Sequence, residues 1–306
     1  MVPAMTKTSR DRPSREGEDA PTAGGGWLEP PQPQELVLTI LADNVRGRLE
    51  HVWSGGLVQL LAEFGFTTGA SRVALARLAR RNLISRVRDG RLISYAITSR
   101  AERLFAEGDR RIFGVADEVT DDQITVLWHV LPEELRLERG RLARRLRFLG
   151  FGSIQDATWI APGVREDAVS RLAKELGVEQ YVGAMTGRPS AQLGIRQLVD
   201  RAWDADALSA RYAAFLDEFG HLTTARATRA LSDSEAFRFR TQLIHNYRQF
   251  PSLDPGPFLQ LSGGDVRQRA SELFNRVYPA LESQAHRHFD TIALRPAKLD
   301  QESPDA

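Results

Sequence analysis

From position 36 the chain carries apolar residues at helical spacing. Leu36, Val37, Ile40, Leu41 and Val45 fall on one stripe of a 3.6-residue repeat. A second short apolar segment with Leu57, Leu60 and Leu61 follows Ser54, which reads as its N-cap, and closes at Gly65. Thr67 or Thr68 then caps a third helix running to about Asn82. At about 100° per residue, Ala74, Leu75, Leu78 and Ala79 share its inner face, while Arg72, Val73, Ala76, Arg77 and Arg80 share the outer one. Two extended runs, 83–88 and 91–97, are separated by Asp89-Gly90, and this pair at two-residue spacing predicts a type I′ hairpin. Thr98 or Ser99 caps one more helix through about Phe113. Three helices followed by a hairpin is the order of a winged helix-turn-helix.

The pattern changes after residue 120. Residues 124–131 read as a strand, 133–149 as a helix and 152–160 as extended segments with a bend. Residues 165–176 read as a helix and 178–184 as a last strand. This β-α-β(β)-α-β order is ferredoxin-like. From Gly194 the chain is mostly helical, over 195–203, 205–219, 222–231, 234–248 and 266–289. The fold class is therefore α+β, with a winged-helix unit at 34–115, a ferredoxin-like centre at 121–188 and a helical domain at 194–290. Residues 1–33 hold six prolines and the Gly24–Gly26 run with few large apolar side chains, so they read as a disordered tail, and 291–306 as a flexible one.

Composition adds less than its distribution. The 306 residues are 42% hydrophobic and 26% charged, enough for a real core. No cysteine is present, which excludes disulfides, thiolate metal sites and cysteine nucleophiles and fits a cytoplasmic protein. No window approaches the ~18 apolar residues of a membrane span, and the N-terminus lacks the apolar core of a secretory signal. The net charge of +1 conceals a local excess. Between Phe66 and Arg100 stand eight basic residues (Arg72, Arg77, Arg80, Arg81, Arg86, Arg88, Arg91, Arg100) and one acid, Asp89. An arginine-rich helix with small residues between the charges suits the major groove of DNA, and basic residues near the hairpin turn suit phosphates.

Three blocks then resemble the PaaX family of bacterial regulators, repressors of phenylacetate catabolism and its relatives. The first is Glu35-Leu-Val-Leu-Thr-Ile-Leu-Ala-Asp-Asn44 with Arg72-Val-Ala-Leu-Ala-Arg-Leu-Ala-Arg-Arg81 and the wing from Arg91 to Tyr95. The second is Arg144-Arg-Leu-Arg-Phe-Leu-Gly-Phe-Gly152 with Trp159-Ile-Ala-Pro162. The third is Leu243-Ile-His-Asn-Tyr-Arg-Gln-Phe250 with Asp254-Pro255 and the helix from Ala270 through Leu281. The resemblance implies a homodimeric repressor of a catabolic operon, bound to double-stranded operator DNA through Thr68, Arg72, Val73, Ala76, Arg77, Arg80, Arg81, Arg88 and Arg91. It also implies release by an effector, which in the best-known members is phenylacetyl-coenzyme A. The segment Gly256–Asp265 departs from the family pattern and leaves the acyl group open.

For such an acyl-coenzyme A the candidate contacts are Arg238, Arg240, His245, Tyr247, Arg248 and Asp254, a mixture of cations for phosphates and rings for the acyl chain. The alternatives for this block are an Arg248–Asp254 ion pair holding the helix end to its loop, and a structural His245. A second basic run, Arg136, Arg139, Arg141, Arg144, Arg145 and Arg147, reads as a phosphate stripe, a dimer face or a solvated face. Two other classes compete with the repressor: an effector-independent DNA-binding activator or architectural protein, and a metal-dependent nuclease built on the central domain. The nuclease needs carboxylates at the end of the first strand, where only Glu133 and Glu134 follow Pro132. No nucleophile–base set, phosphate loop, metal-ligand spacing or cofactor motif stands out.

Overall fold

A computed structural model of the chain describes residues 28–89, 92–113, 123–190, 195–256, 259, 261 and 265–294. Over these residues the protein is mixed helix and sheet, with two small antiparallel sheets. Helix α1 (Pro33–Asn44) begins on a proline, whose missing amide hydrogen costs nothing in a first turn, and is closed by a capping box between Gln32 and Glu35. A two-residue strand, β1 (Val52–Trp53), leads into α2 (Ser54–Ala62). Trp53 occupies the cap position and Ser54 is the first helical residue, so the serine does not cap this helix. Thr67 caps α3 (Thr68–Arg80) by accepting the Ala70 amide at 3.2 Å. The hairpin is β2 (Ile84–Asp89) and β3 (Leu92–Ile97), and β1 joins it in the order β1-β3-β2. Asp89 pairs with Leu92, so it is the last residue of β2 rather than one of the two residues between the extended runs. Thr98 caps α4 (Ser99–Ile112) through the Ala101 amide.

The central unit runs β4 (Ile124–His129), α5 (Arg136–Phe148), β5 (Gly152–Gln155), β6 (Thr158–Pro162), α6 (Glu166–Leu176) and β7 (Val182–Gly187), in sheet order β5-β6-β4-β7. All its pairings are antiparallel. Leu127 and Trp159 from the sheet bury against Leu142, Leu146, Val169 and Leu172 from the two helices. The last strand begins four residues later than the pattern predicts. Gly177 ends α6 in the left-handed conformation, Val178 is buried, and residues 179–181 make one further 3-10 turn before pairing starts.

The remaining helices are α7 (Ile195–Ala202), α8 (Ala205–Phe219), α9 (Ala225–Ala230), α10 (Asp233–Tyr247), α11 (Phe250–Leu253), α12 (Val266–Ala280) and α13 (Glu282–Ala293). The single helix expected over 266–289 is two, with Pro279 in the last turn of α12, where it cannot donate a helical hydrogen bond. These helices are not a separate body. Phe237 of α10 and Ala285, Phe289 and Ala293 of α13 share one buried cluster with Leu36, Ile40, Leu57 and Leu60 of α1 and α2.

Two boundaries need correction. Residues 28–32, read as the end of a disordered tail, are docked. The Leu28 amide donates to Asn246 Oδ1 at 3.2 Å, Glu29 pairs with Arg211 at 2.5 Å, and the Leu28 side chain packs on the C-terminal core. At the other end α13 runs into the stretch read as a flexible tail, with Ala293 fully buried. Residues 1–27 and 295–306 lie outside the described residues.

Candidate functional site

The inner face of α3 is buried through Ser71, Ala74, Leu75 and Leu78. Its outer face presents Thr68, Arg72, Val73, Ala76, Arg77, Arg80 and the C-cap Arg81, and all seven are exposed. Val73 is 48% exposed, an apolar side chain held in water among cations. On β2, Arg86 and Arg88 stand two apart on one strand face, both exposed. Among the described residues, none of Arg72, Arg77, Arg80, Arg81, Arg86 and Arg88 has a carboxylate within ion-pair distance. Arg91 lies outside the described residues.

The basic run of α5 makes the useful contrast. Arg139 pairs with Glu133 at 2.8 Å, Arg141 with Glu138 at 3.5 Å and Arg145 with Glu175 at 3.1 Å. Arg147 lies over the Trp159 ring. Three of the six arginines in that run thus hold carboxylates, whereas among the described residues none on α3 or β2 does. A cluster of unanswered cations generates the local positive potential that a polyanion meets first.

The six residues expected to meet an effector do not converge. Arg240 and Asp43 are buried together, each side chain 4% exposed, with Nη2–Oδ1 at 2.9 Å and Nε–Oδ2 at 3.0 Å. The Arg240 guanidinium also donates to the Tyr278 carbonyl and stacks on the Tyr278 ring at 3.8 Å, and the Tyr278 hydroxyl donates to Asp43 at 2.6 Å. This group ties α1 to α10 and α12 and offers a ligand nothing. Asp254 is held by Arg267 at 2.5 and 2.8 Å and by the Tyr212 hydroxyl at 2.7 Å. The anticipated Arg248–Asp254 pair is therefore replaced by Arg267–Asp254.

His245 is 2% exposed, and its Nδ1 meets the Thr39 hydroxyl at 3.2 Å. Burial, reinforced by the charge of Arg248, pushes the imidazole down to about 3, so it is neutral near pH 7. Tyr247 stacks on Phe274 with centroids 3.9 Å apart. Arg238 is half-buried two residues from Arg240, hence on a different face of α10. Arg248 alone of the three expected cations lines a cavity, and burial holds its guanidinium below the ordinary arginine value. Asp43 and Arg267 were not anticipated. Asp43 could have been: it lies seven residues after Leu36 on the apolar stripe of α1, where a carboxylate needs a buried cation.

Other chemistry is sparse. Among the described residues no three His, Cys, Asp or Glu side chains are grouped to hold a metal ion, and no helix is long and apolar enough to cross a membrane. Glu133, one of the two carboxylates a nuclease would need, is bound to Arg139.

Comparison with known proteins covers most of the chain. Residues 32–101 match the PaaX-like protein family, 117–199 the PaaX protein central Cas2-like domain, and 203–291 the PaaX-like protein C-terminal domain. No curated protein sequence matches the chain significantly. Among solved structures, the uncharacterized protein Rv0674 from Mycobacterium tuberculosis is similar at 18% identity and a TM-score of 0.48, over 80% of this chain and 96% of that one. That likeness is too weak to carry an argument about function. The three domain matches follow one another in order along the sequence, and the chain belongs to the PaaX family of regulators.

Proposed function

We propose that the protein is a sequence-specific DNA-binding repressor of a catabolic operon that acts as a homodimer and leaves its operator when a small effector binds. In this reading the N-terminal unit is a winged helix and α3 enters the major groove. Arg72, Arg77 and Arg80 meet guanine edges or phosphates, Val73 and Ala76 meet thymine methyl groups, and Thr68 meets the backbone at the start of the helix. Arg81, Arg88 and Arg91 bind phosphates beside the groove. The central unit is ferredoxin-like, a reading supported by its β-α-β-β-α-β sequence and its strand order. The family resemblance adds an acyl-coenzyme A effector.

One observation carries the proposal: the α3–β2 surface is cationic, exposed and, among the described residues, without carboxylate partners, while three of the six arginines in the run on α5 hold carboxylates. Fragments of the source genome captured by the full-length protein, followed by footprinting, test it. The expected footprint is two-fold symmetric, with half-sites about one helical turn or a multiple of it apart. Capture of fragments without a shared sequence would favour an architectural protein instead.

A further inference from the structure

A cavity of about 500 Å³ opens where α1, α4, α10 and α11 meet, with Tyr278 of α12 and Phe148 of α5 completing it. Its size falls in the range of small-molecule sites. The walls are apolar, with Leu38 from α1, Phe105 and Ile112 from α4, and Ile244 from α10. Phe113, Phe148 and Leu253 also line it, and they are 48%, 36% and 38% exposed, so large apolar side chains stand in water around this one space.

Its charges are nearly all answered. Glu29 is bound to Arg211, Asp43 to Arg240 and Asp109 to Arg46. The Glu35 carboxylate accepts the Gln32 amide in the α1 capping box. Arg248 is the exception: mostly desolvated, it has no carboxylate at ion-pair distance among the described residues, and Glu35 relieves its charge only from further away. A half-buried cation facing an apolar space calls for an anion with an apolar body.

We propose that this cavity binds a small free carboxylic acid with an aromatic or aliphatic body, its carboxylate seated on the Arg248 guanidinium. The ligand class follows from having one unanswered cation here rather than the several that the phosphates of a coenzyme A thioester would reward. Because α1 and α4 flank α3 in the chain while α10 and α11 belong to the C-terminal helices, an occupant that prefers one arrangement of these walls shifts the presentation of α3. That last consequence rests on the repressor reading; binding itself does not.

Calorimetry on the full-length protein tests the site, with benzoate, phenylacetate and octanoate as probes beside phenylacetamide and the coenzyme A thioesters of the same acids. At least one acid is expected to bind, the neutral amide about tenfold or more weakly, and Arg248→Gln to lose about tenfold or more of the acid affinity. Gly108→Leu provides a second variant. Gly108 lines the cavity within α4 and a Cβ there meets nothing within 4 Å, so leucine fills the space without displacing a neighbour. It should abolish acid binding and leave the melting temperature at or above wild type, since leucine is the better helix former. No binding of any acid at millimolar concentration, equal binding of acid and amide, thioester binding that is lost in Arg248→Gln, or a clear destabilisation by Gly108→Leu would each overturn the inference. Acid binding without any DNA binding would instead sink the repressor reading and leave this site standing.

Discussion

Arg240→Ala should destabilise the protein severely and leave ligand binding intact where it can be measured. The side chain is 4% exposed and its partner Asp43 equally so. Removing the guanidinium strands a buried carboxylate with only the Tyr278 hydroxyl for company. Breaking a buried pair from one side costs about 3–5 kcal/mol. For a chain of this size that corresponds to about 6–20 °C in melting temperature, at about 2–4 °C per kcal/mol. Urea unfolding followed by circular dichroism gives the free energy directly. The double variant Arg240→Met with Asp43→Leu should recover part of the loss, because deleting both charges removes the stranded ion and leaves the Tyr278 hydroxyl short of an acceptor and the Tyr278 carbonyl short of the Arg240 donor, about 1–3 kcal/mol. The reasoning fails if Arg240→Ala unfolds at the wild-type urea concentration but binds an effector more weakly. That outcome would return Arg240 to the ligand site.

Three further expectations follow from the same geometry. His245 is pushed down to about 3 by burial, whereas unfolding restores the ordinary value of 6.5, so the unfolded chain binds the extra proton between those limits. Stability therefore falls as pH drops below about 6.5, by up to ~1.4 kcal/mol per pH unit from this group; a wild-type melting profile with no more slope from pH 6.5 to 5 than that of His245→Gln would contradict it. Gly56→Ala should cost on the order of 1–3 kcal/mol in unfolding free energy, because its Cβ would sit 2.5 Å from the Ile292 carbonyl and 2.6 Å from the Ala293 Cα, backbone that cannot step aside; a neutral result in denaturant titration would show that α2 and α13 are not held this closely. Deleting residues 1–32 should lower stability by about 1–2 kcal/mol by removing the Leu28 packing and its hydrogen bond to Asn246, against no change if residues 28–32 were part of a free tail.

Local pattern was the readable part of this chain. The inner and outer faces of α3 follow from the spacing of Ala74, Leu75 and Leu78 against Arg72, Arg77 and Arg80, because a helix converts spacing directly into sides. The caps Thr67 and Thr98 were readable for the same local reason. What stayed hidden was long-range. Arg240 finds Asp43 across 197 positions, and Asp254 chooses Arg267 over the nearer Arg248 through a turn whose path the residues do not announce. The strand β1 has two residues and exists only because Val52 and Trp53 can pair with Tyr95 and Ser94. The cavity was invisible for a similar reason. Its walls come from several helices spread along most of the chain, and no single segment carries its signature.

The outer face of α3 carries the account, and a binding titration against the captured operator tests it most directly. Arg77→Ala with Arg80→Ala should bind far more weakly than wild type while melting normally, since neither guanidinium holds a carboxylate and the packing lies on the opposite face. Removing an arginine that reads a base costs about 1–3 kcal/mol and relaxes sequence preference, whereas removing one that touches only phosphate lowers the salt slope by about 1. Arg139→Ala with Arg145→Ala removes the same formal charge from α5, where both arginines already hold carboxylates, and should bind like wild type. If instead the α5 variant loses the operator and the α3 variant keeps it, α3 is not the surface that reads DNA.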